Sequence, residues 1–223
     1  MNLLLFDIDG TLIKSGGAAI KAAELAFEKI YNVKNVMNGI RADGKTDPLI
    51  LKEMFKQGLN RDFTMNEAEI IFGEYLKILD LKLQNGNKIT VLPGILELLN
   101  ELLDKQDVIL GLATGNIEQG ARVKLKYSGL DHFFSFGGFG SDSENREQLT
   151  RAAIERGRRV ADRHLDKIFV IGDTPLDITC GRAAGALTVG VCTGVYSYGQ
   201  LQSYDPDFLF NNLLDTDSFI NIL

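Results

Sequence analysis

Three short polar clusters carry the residue types that do chemistry, and each follows an apolar run. They are Asp7-Ile8-Asp9-Gly10-Thr11, Thr114-Gly115-Asn116 and Gly172-Asp173-Thr174-Pro175-Leu176-Asp177. The runs before them are short, unbroken and bounded by turn residues, as in strands buried on both faces. In a parallel sheet such strands end on one edge, where these folds bind ligands. Asp7, Asp9, Asp173 and Asp177 would then converge on one pocket from distant parts of the chain. Like charges raise one another's pKa and destabilise a fold unless something offsets them. A hard divalent cation does so, and a site of few carboxylates that retains waters suits Mg²⁺. Each aspartate taken alone could instead cap a turn or helix. For Asp177 that reading is as good as the other, but capping does not require four aspartates at three strand ends.

The elements that must position these residues can be read along the chain. Leu3 to Phe6 is the first strand. From Ala18 to Tyr31 the apolar residues Ala22, Leu25, Ala26 and Ile30 recur at helical spacing. Asp47-Pro48 reads as a cap and first helical residue of a helix through Gln57. Asn66 is expected to cap a third helix, through Leu83. After Pro93-Gly94 strands and helices alternate: helix Ile95 to Asp104, strand Val108 to Ala113, helix Glu118 to Ser128, an extended stretch Phe133 to Phe139, and helix Glu144 to Arg159. Strand Lys167 to Ile171, helix Pro175 to Ala184 and strand Leu187 to Cys192 follow, then a short strand Phe208 to Phe210 and a terminal helix. This order predicts an α/β fold with a doubly wound parallel sheet. The helical block after the first strand is expected to form an inserted unit, residues 15–89, above a core of 1–14 and 90–223. Gly16-Gly17 and Asn85-Gly86-Asn87 are its expected hinges.

The 223 residues include 24 basic and 30 acidic ones, a net charge of −6, which argues against nucleic acid as the main partner. No apolar run reaches the ~18 residues of a membrane span. The N-terminal run has no basic flank and meets Asp7, so no signal peptide and a cytoplasmic location are expected. Cys180 and Cys192 are too few for a disulfide framework and are expected to be buried packing residues. His132 and His164 are expected at the surface and Phe133 to Phe136 in the core. The arginines of 156–163 are expected on a solvated helix end.

Taken together, Asp7-x-Asp9-Gly10-Thr11, the threonine after the second motif strand and Gly172-Asp173-x-x-x-Asp177 resemble the haloacid-dehalogenase-like hydrolases. The overall run resembles their phosphoglycolate-phosphatase-like branch, helical insert included. The resemblance implies that Asp7 is a nucleophile that forms an aspartyl-phosphate. Asp9 is implied as general acid and base, with its main-chain carbonyl on Mg²⁺. Asp173 is implied as a metal ligand, Asp177 as a ligand or an acidic neighbour of one. Thr114 matches the hydroxyl that holds a phosphoryl oxygen, with main-chain N–H groups near Gly115 and Asn116 helping. The family's phosphate-binding cation has no Lys-Pro to mark it here. Arg146 is the first choice and Lys124 the second. The polar loop 41–47 resembles the substrate-facing loop of helical caps, so Arg41, Lys45 and Thr46 are candidates for reading the leaving group.

The implied activity is Mg²⁺-dependent hydrolysis of a small phosphorylated metabolite, phosphoglycolate or a relative of it. Alternatives are a phosphomutase and, ranked lower, a 2-haloacid dehalogenase, which needs neither Asp9 nor Asp173. A non-catalytic binding protein would have no use for the intact Asp7, Asp9, Thr114 and Asp173 set. A phosphoaccepting receiver domain carries its acceptor on a middle strand and has no insert after the first.

Overall fold

The computed structural model describes residues 1–86 and 89–223 of the chain. Strand β1 (Asn2–Phe6) is buried along its whole length. Leu3, Leu4, Leu5 and Phe6 are fully enclosed, each stabilising the fold by roughly 2 kcal/mol of transfer free energy. Alternate residues serve the two faces of the sheet. Leu4 and Phe6 join a cluster with Leu98, Leu99, Phe134 and Phe219. Leu3 and Leu5 pack on Leu149, Ala153 and Val170. A strand apolar on both sides is what a parallel sheet covered by helices requires.

The chain then makes β2 (Ile13–Lys14) and three helices, α1 (Ala18–Tyr31), α2 (Asp47–Leu59) and α3 (Met65–Gln84). It returns through β3 (Thr90–Val91), antiparallel to β2. The remainder alternates as α4 (Ile95–Leu103), β4 (Val108–Ala113), α5 (Glu118–Ser128), β5 (Gly137–Gly138), α6 (Arg146–Ala161), β6 (Lys167–Gly172), α7 (Pro175–Ala183), β7 (Leu187–Val191), α8 (Tyr198–Gln202), β8 (Phe208–Phe210) and α9 (Thr216–Ile220). The six-stranded sheet runs β5-β4-β1-β6-β7-β8, and its pairings are parallel. It is the doubly wound α/β sheet expected from the alternation.

The order places β1 between β4 and β6. Phe6 lies opposite Leu112 on one side and Ile171 on the other. The residues that follow these three strands therefore emerge side by side at the carboxyl edge. Helices α1 to α3 have a buried cluster of their own, built on Ala22, Ala26, Phe27, Leu51, Phe55 and Leu79, with Ile117 from the loop after β4. The rings of Phe27 and Phe55 meet edge to face at 5.3 Å, a geometry favoured by the ring quadrupoles. Among the described residues no helix is long and apolar enough to cross a membrane.

Several boundaries differ from the sequence reading. Helix α2 is capped by Thr46, with Asp47 as its first residue. Helix α3 is capped by Thr64 in a capping box with Glu67, because that pair satisfies two main-chain donors that Asn66 would leave open. The stretch Phe133 to Phe139 starts on the last residue of a 3₁₀ turn, Asp131–Phe133, and is extended strand only in the two-residue β5. The β2/β3 ribbon was too short to show as a pattern. Cys180 and Cys192 are half-buried, not enclosed. Of the expected hinge residues, Asn87 lies outside the described residues.

Candidate active site

Asp7 follows β1 directly, and its N–H donates to the Ile171 carbonyl at 2.9 Å, extending the β1–β6 ladder by one residue. Asp173 and Asp177 approach it from β6 and the start of α7. The three carboxyls can each offer an oxygen within 4.8 Å of the others, and all three are buried. Burial pushes Asp7 up to about 6, with Asp177 and Asp9 adding to the rise and Arg146 and Thr114 opposing it. Burial pushes Asp173 up to about 9, with Asp177 and Asp7 adding to it. Such a set of hard oxygen donors, short of positive charge, fits a divalent cation of the Mg²⁺ kind.

One cation does reach this cluster. Arg146, at the start of α6 and 7% exposed, lies 3.0 Å from Asp7 Oδ1 and pairs with Asp177. Its other guanidinium nitrogen donates to the Gly44 carbonyl at 3.0 Å. Asp177 thus meets Arg146 at its Oδ1. It also closes a capping box with Thr174, so both sequence readings of Asp177 have a geometric basis.

Asp9 sits in different surroundings two residues on. Lys124 Nζ donates to Asp9 Oδ2 and to Asn116 Oδ1, each at 2.5 Å. Asn116 Nδ2 donates to Asp9 Oδ2 at 2.9 Å and to the Thr114 hydroxyl at 2.8 Å. Ser15 donates to Asp9 Oδ1 at 3.2 Å. Burial would raise Asp9, but the Lys124 charge and these hydrogen bonds hold it below the usual carboxylate range. Thus Arg146 attends Asp7, and Lys124 attends Asp9.

The site closes beneath α1 to α3, leaving a cavity of about 210 Å³ lined by Asp7, Asp9, Thr114, Gly115, Asn116, Lys124, Arg146 and Asp173 on the sheet side. Of the loop candidates only Lys45 lines it, and Lys45 Nζ is engaged by Glu53 at 2.6 Å. Arg41 is exposed and lies outside the cavity lining. Thr46 is spent on structure: its hydroxyl donates to the Glu144 carbonyl at 3.0 Å and accepts from Leu49 N–H.

Several residues of the site carry no site role in the sequence reading. Thr11 donates to Asp173 Oδ1 at 3.2 Å. Gly10, at φ 88°, and Gly194 both leave room for Asp173, since a Cβ on either would overlap its carboxylate. Asp47, read as a helix cap, lines the cavity together with Tyr75. A half-buried acid next to Pro48 in a polar loop looks the same in sequence as an exposed cap, so no local signal separated them.

Comparison with known proteins agrees with this architecture. The family model of haloacid dehalogenase-like hydrolases matches residues 4–191. A pyrophosphatase PpaX from Listeria monocytogenes is 26% identical over 217 residues, covering 95% of this chain and 93% of that protein. The crystal structure of a hydrolase from Pseudomonas syringae superposes with a TM-score of 0.73 at 24% identity, covering 100% of this chain and 99% of the other. That of a predicted phosphoglycolate phosphatase from Haemophilus somnus gives 0.72 at 22% identity, covering 98% and 97%.

Proposed function

This chain belongs to the haloacid dehalogenase-like hydrolases, and on that premise we propose that it is a Mg²⁺-dependent phosphatase of small phosphomonoesters that works through an aspartyl-phosphate on Asp7. The observation that carries the reading is the contrast between two aspartates two residues apart. Asp7 faces Arg146 and two further carboxylates, whereas Asp9 stands apart from them on Lys124 and Asn116. Two carboxyls in unlike environments suit two roles, nucleophile and acid–base.

In the first step an Asp7 oxygen attacks phosphorus. The bond to the leaving oxygen breaks, and Asp9 supplies that oxygen with a proton. In the second step Asp9 takes a proton from water, the water oxygen bonds to phosphorus, and the Asp7–phosphorus bond breaks. Asp9 must be protonated for the first step. An arriving phosphoryl dianion would draw Lys124 toward itself and leave only the Asn116 and Ser15 hydrogen bonds against the burial of Asp9, which raises its affinity for the proton. Arg146 orients the Asp7 carboxylate, and Thr114 with the N–H groups of Gly115 and Asn116 would receive phosphoryl oxygens. Asp7, Asp173 and Asp177, with the Asp9 main-chain carbonyl, are the groups that would hold the cation. When bound, the cation offsets negative charge on the carboxylates and the phosphoryl group.

Residues 15–89 would act as a helical cap on a core of 1–14 and 90–223, excluding water when closed. Their separate buried cluster and the β2/β3 ribbon at the two crossings support this division. The test is phosphate release from a panel of phosphomonoesters. Activity should vanish in EDTA and return with Mg²⁺, whereas Ca²⁺, with its looser coordination, should not restore it. Asp7→Asn should lower turnover by about 10³-fold or more. Near-wild-type turnover in Asp7→Asn would overturn the covalent route. Metal-independent halide release from a 2-haloacid would overturn the phosphatase reading.

A further inference from the structure

The part of the cavity facing away from the sheet differs from the phosphoryl end. Ile20, Met37, Ile50, Met54 and Phe72 form much of it, so the group attached to the phosphoryl oxygen would lie against apolar side chains. Among the described residues three cations line the cavity, and each is already engaged: Lys124 with Asp9, Arg146 with Asp7 and Asp177, and Lys45 with both oxygens of Glu53 at 2.6 and 2.7 Å. The charged groups added by the cap are therefore net negative, since Asp43 and Asp47 line the cavity as well. Tyr75 is another polar wall and carries no charge, its hydroxyl being raised well above its ordinary value by burial and by Asp47 and Asp9.

Asp47 is held rigidly. Its main-chain N–H donates to the Gly115 carbonyl at 2.7 Å, and its Oδ2 accepts from the Ile117 N–H at 2.8 Å. Among the described residues no buried side-chain polar atom lacks a partner. Among the described residues nothing donates to Oδ1 of Asp47, so it is open to the cavity that Asp47 lines. Burial pushes this carboxyl up to about 6, with Asp9 adding to the rise and Lys124 and the Ile117 bond opposing it. At neutral pH it is a mostly ionised acceptor, fixed against the wall beside the reacting centre.

We propose that the site accepts a leaving group that is apolar, carries a hydrogen-bond donor and bears no second anion, and that Asp47 is the residue that imposes this choice. A hydroxyl or amine on the leaving group would donate to Asp47 Oδ1. A carboxylate or second phosphate would meet a like charge at close range in a weakly screened space, with no unengaged cation among the described cavity residues to receive it. The inference rests on the phosphatase reading above. It differs from the sequence expectation that Arg41 and Lys45 read the leaving group, because Lys45 is paired with Glu53 and Arg41 lies outside the cavity lining.

The experiment compares kcat/KM of the full chain with Mg²⁺ at pH 7.5 on three matched substrates: butyl phosphate, 4-hydroxybutyl phosphate and 3-carboxypropyl phosphate. The hydroxyl ester should be the best, because it gains a bond to a charged group, and the carboxyl ester at least about tenfold poorer than butyl phosphate, because it meets a like charge. Asp47→Asn keeps the oxygen that accepts from Ile117 but turns a donor to the cavity, and should close most of the gap between butyl and carboxypropyl esters. That ratio is measured within one preparation, so it does not depend on the fraction folded. A carboxyl ester turned over as well as butyl phosphate, or a gap unchanged in Asp47→Asn, would overturn the inference and leave the phosphatase standing. A hydroxyl ester no better than butyl phosphate would overturn the donor requirement. No hydrolysis of these esters or of phenyl phosphate would overturn the phosphatase reading and this inference together.

Discussion

Replacing Lys124 by Met should uncouple the two ends of the acid–base device, and the size of the effect follows from its surroundings. Lys124 is 3% exposed and Asp9 37%, with 2.5 Å between Nζ and Oδ2. Breaking a fully buried pair costs about 3–5 kcal/mol, while an exposed pair is worth about 0–1; with one partner enclosed and the other open to the cavity, about 2 kcal/mol is expected at pH 7.5. The loss should depend on pH. In the native protein Asp9 lies below the usual carboxylate range, so its contribution is complete above the unfolded-state value and is lost only as pH falls through the folded value. In Lys124→Met only the Asn116 and Ser15 hydrogen bonds still oppose burial, and Asp9 moves up. The folded variant then binds the proton more tightly than the unfolded chain, and its stability falls as pH rises through that window. Urea unfolding of both proteins in EDTA at pH 4.5 and 7.5 should show the larger difference at pH 7.5. Differences under about 0.5 kcal/mol at both values, the range of an ordinary surface substitution, would refute the coupling. So would a larger loss at pH 4.5.

Other perturbations follow from the same geometry. Arg146→Lys keeps one charge but loses the fork that reaches Asp7, Asp177 and Gly44 together; kcat on an aryl phosphate should fall about 10- to 100-fold. Gly10→Ala places a side chain at φ 88° and against the Asp173 carboxylate; a stability loss of about 1–3 kcal/mol in urea unfolding is expected. Thr46→Val removes the α2 cap and the bond to the Glu144 carbonyl. It should cost about 1–2 kcal/mol of stability and, once the protein is folded, leave KM for an aryl phosphate unchanged.

The sequence by itself determined where the acids stand relative to the sheet. An apolar run long enough for one strand, followed at once by Asp7-x-Asp9 or by Gly172-Asp173, is a local pattern. Strand order in an alternating α/β chain then brings such ends to one edge. It was silent on which cation meets which acid. Arg146 and Lys124 are both helix residues with charged neighbours in sequence, and either could point to water. The packing of α6 on one face of the sheet carries Arg146 to Asp7, and the packing of α5 on the other carries Lys124 to Asp9. The fate of the insert loop was equally hidden. Lys45 is neutralised by a residue on the helix it precedes, Arg41 turns out to solvent, and Asp47, which reads as a cap, becomes a cavity wall. Local spacing sets helix and strand, because hydrogen bonds along the backbone repeat with fixed periods. The direction of a side chain across a cavity depends on how helices settle against a sheet, and that is decided only when the whole core closes.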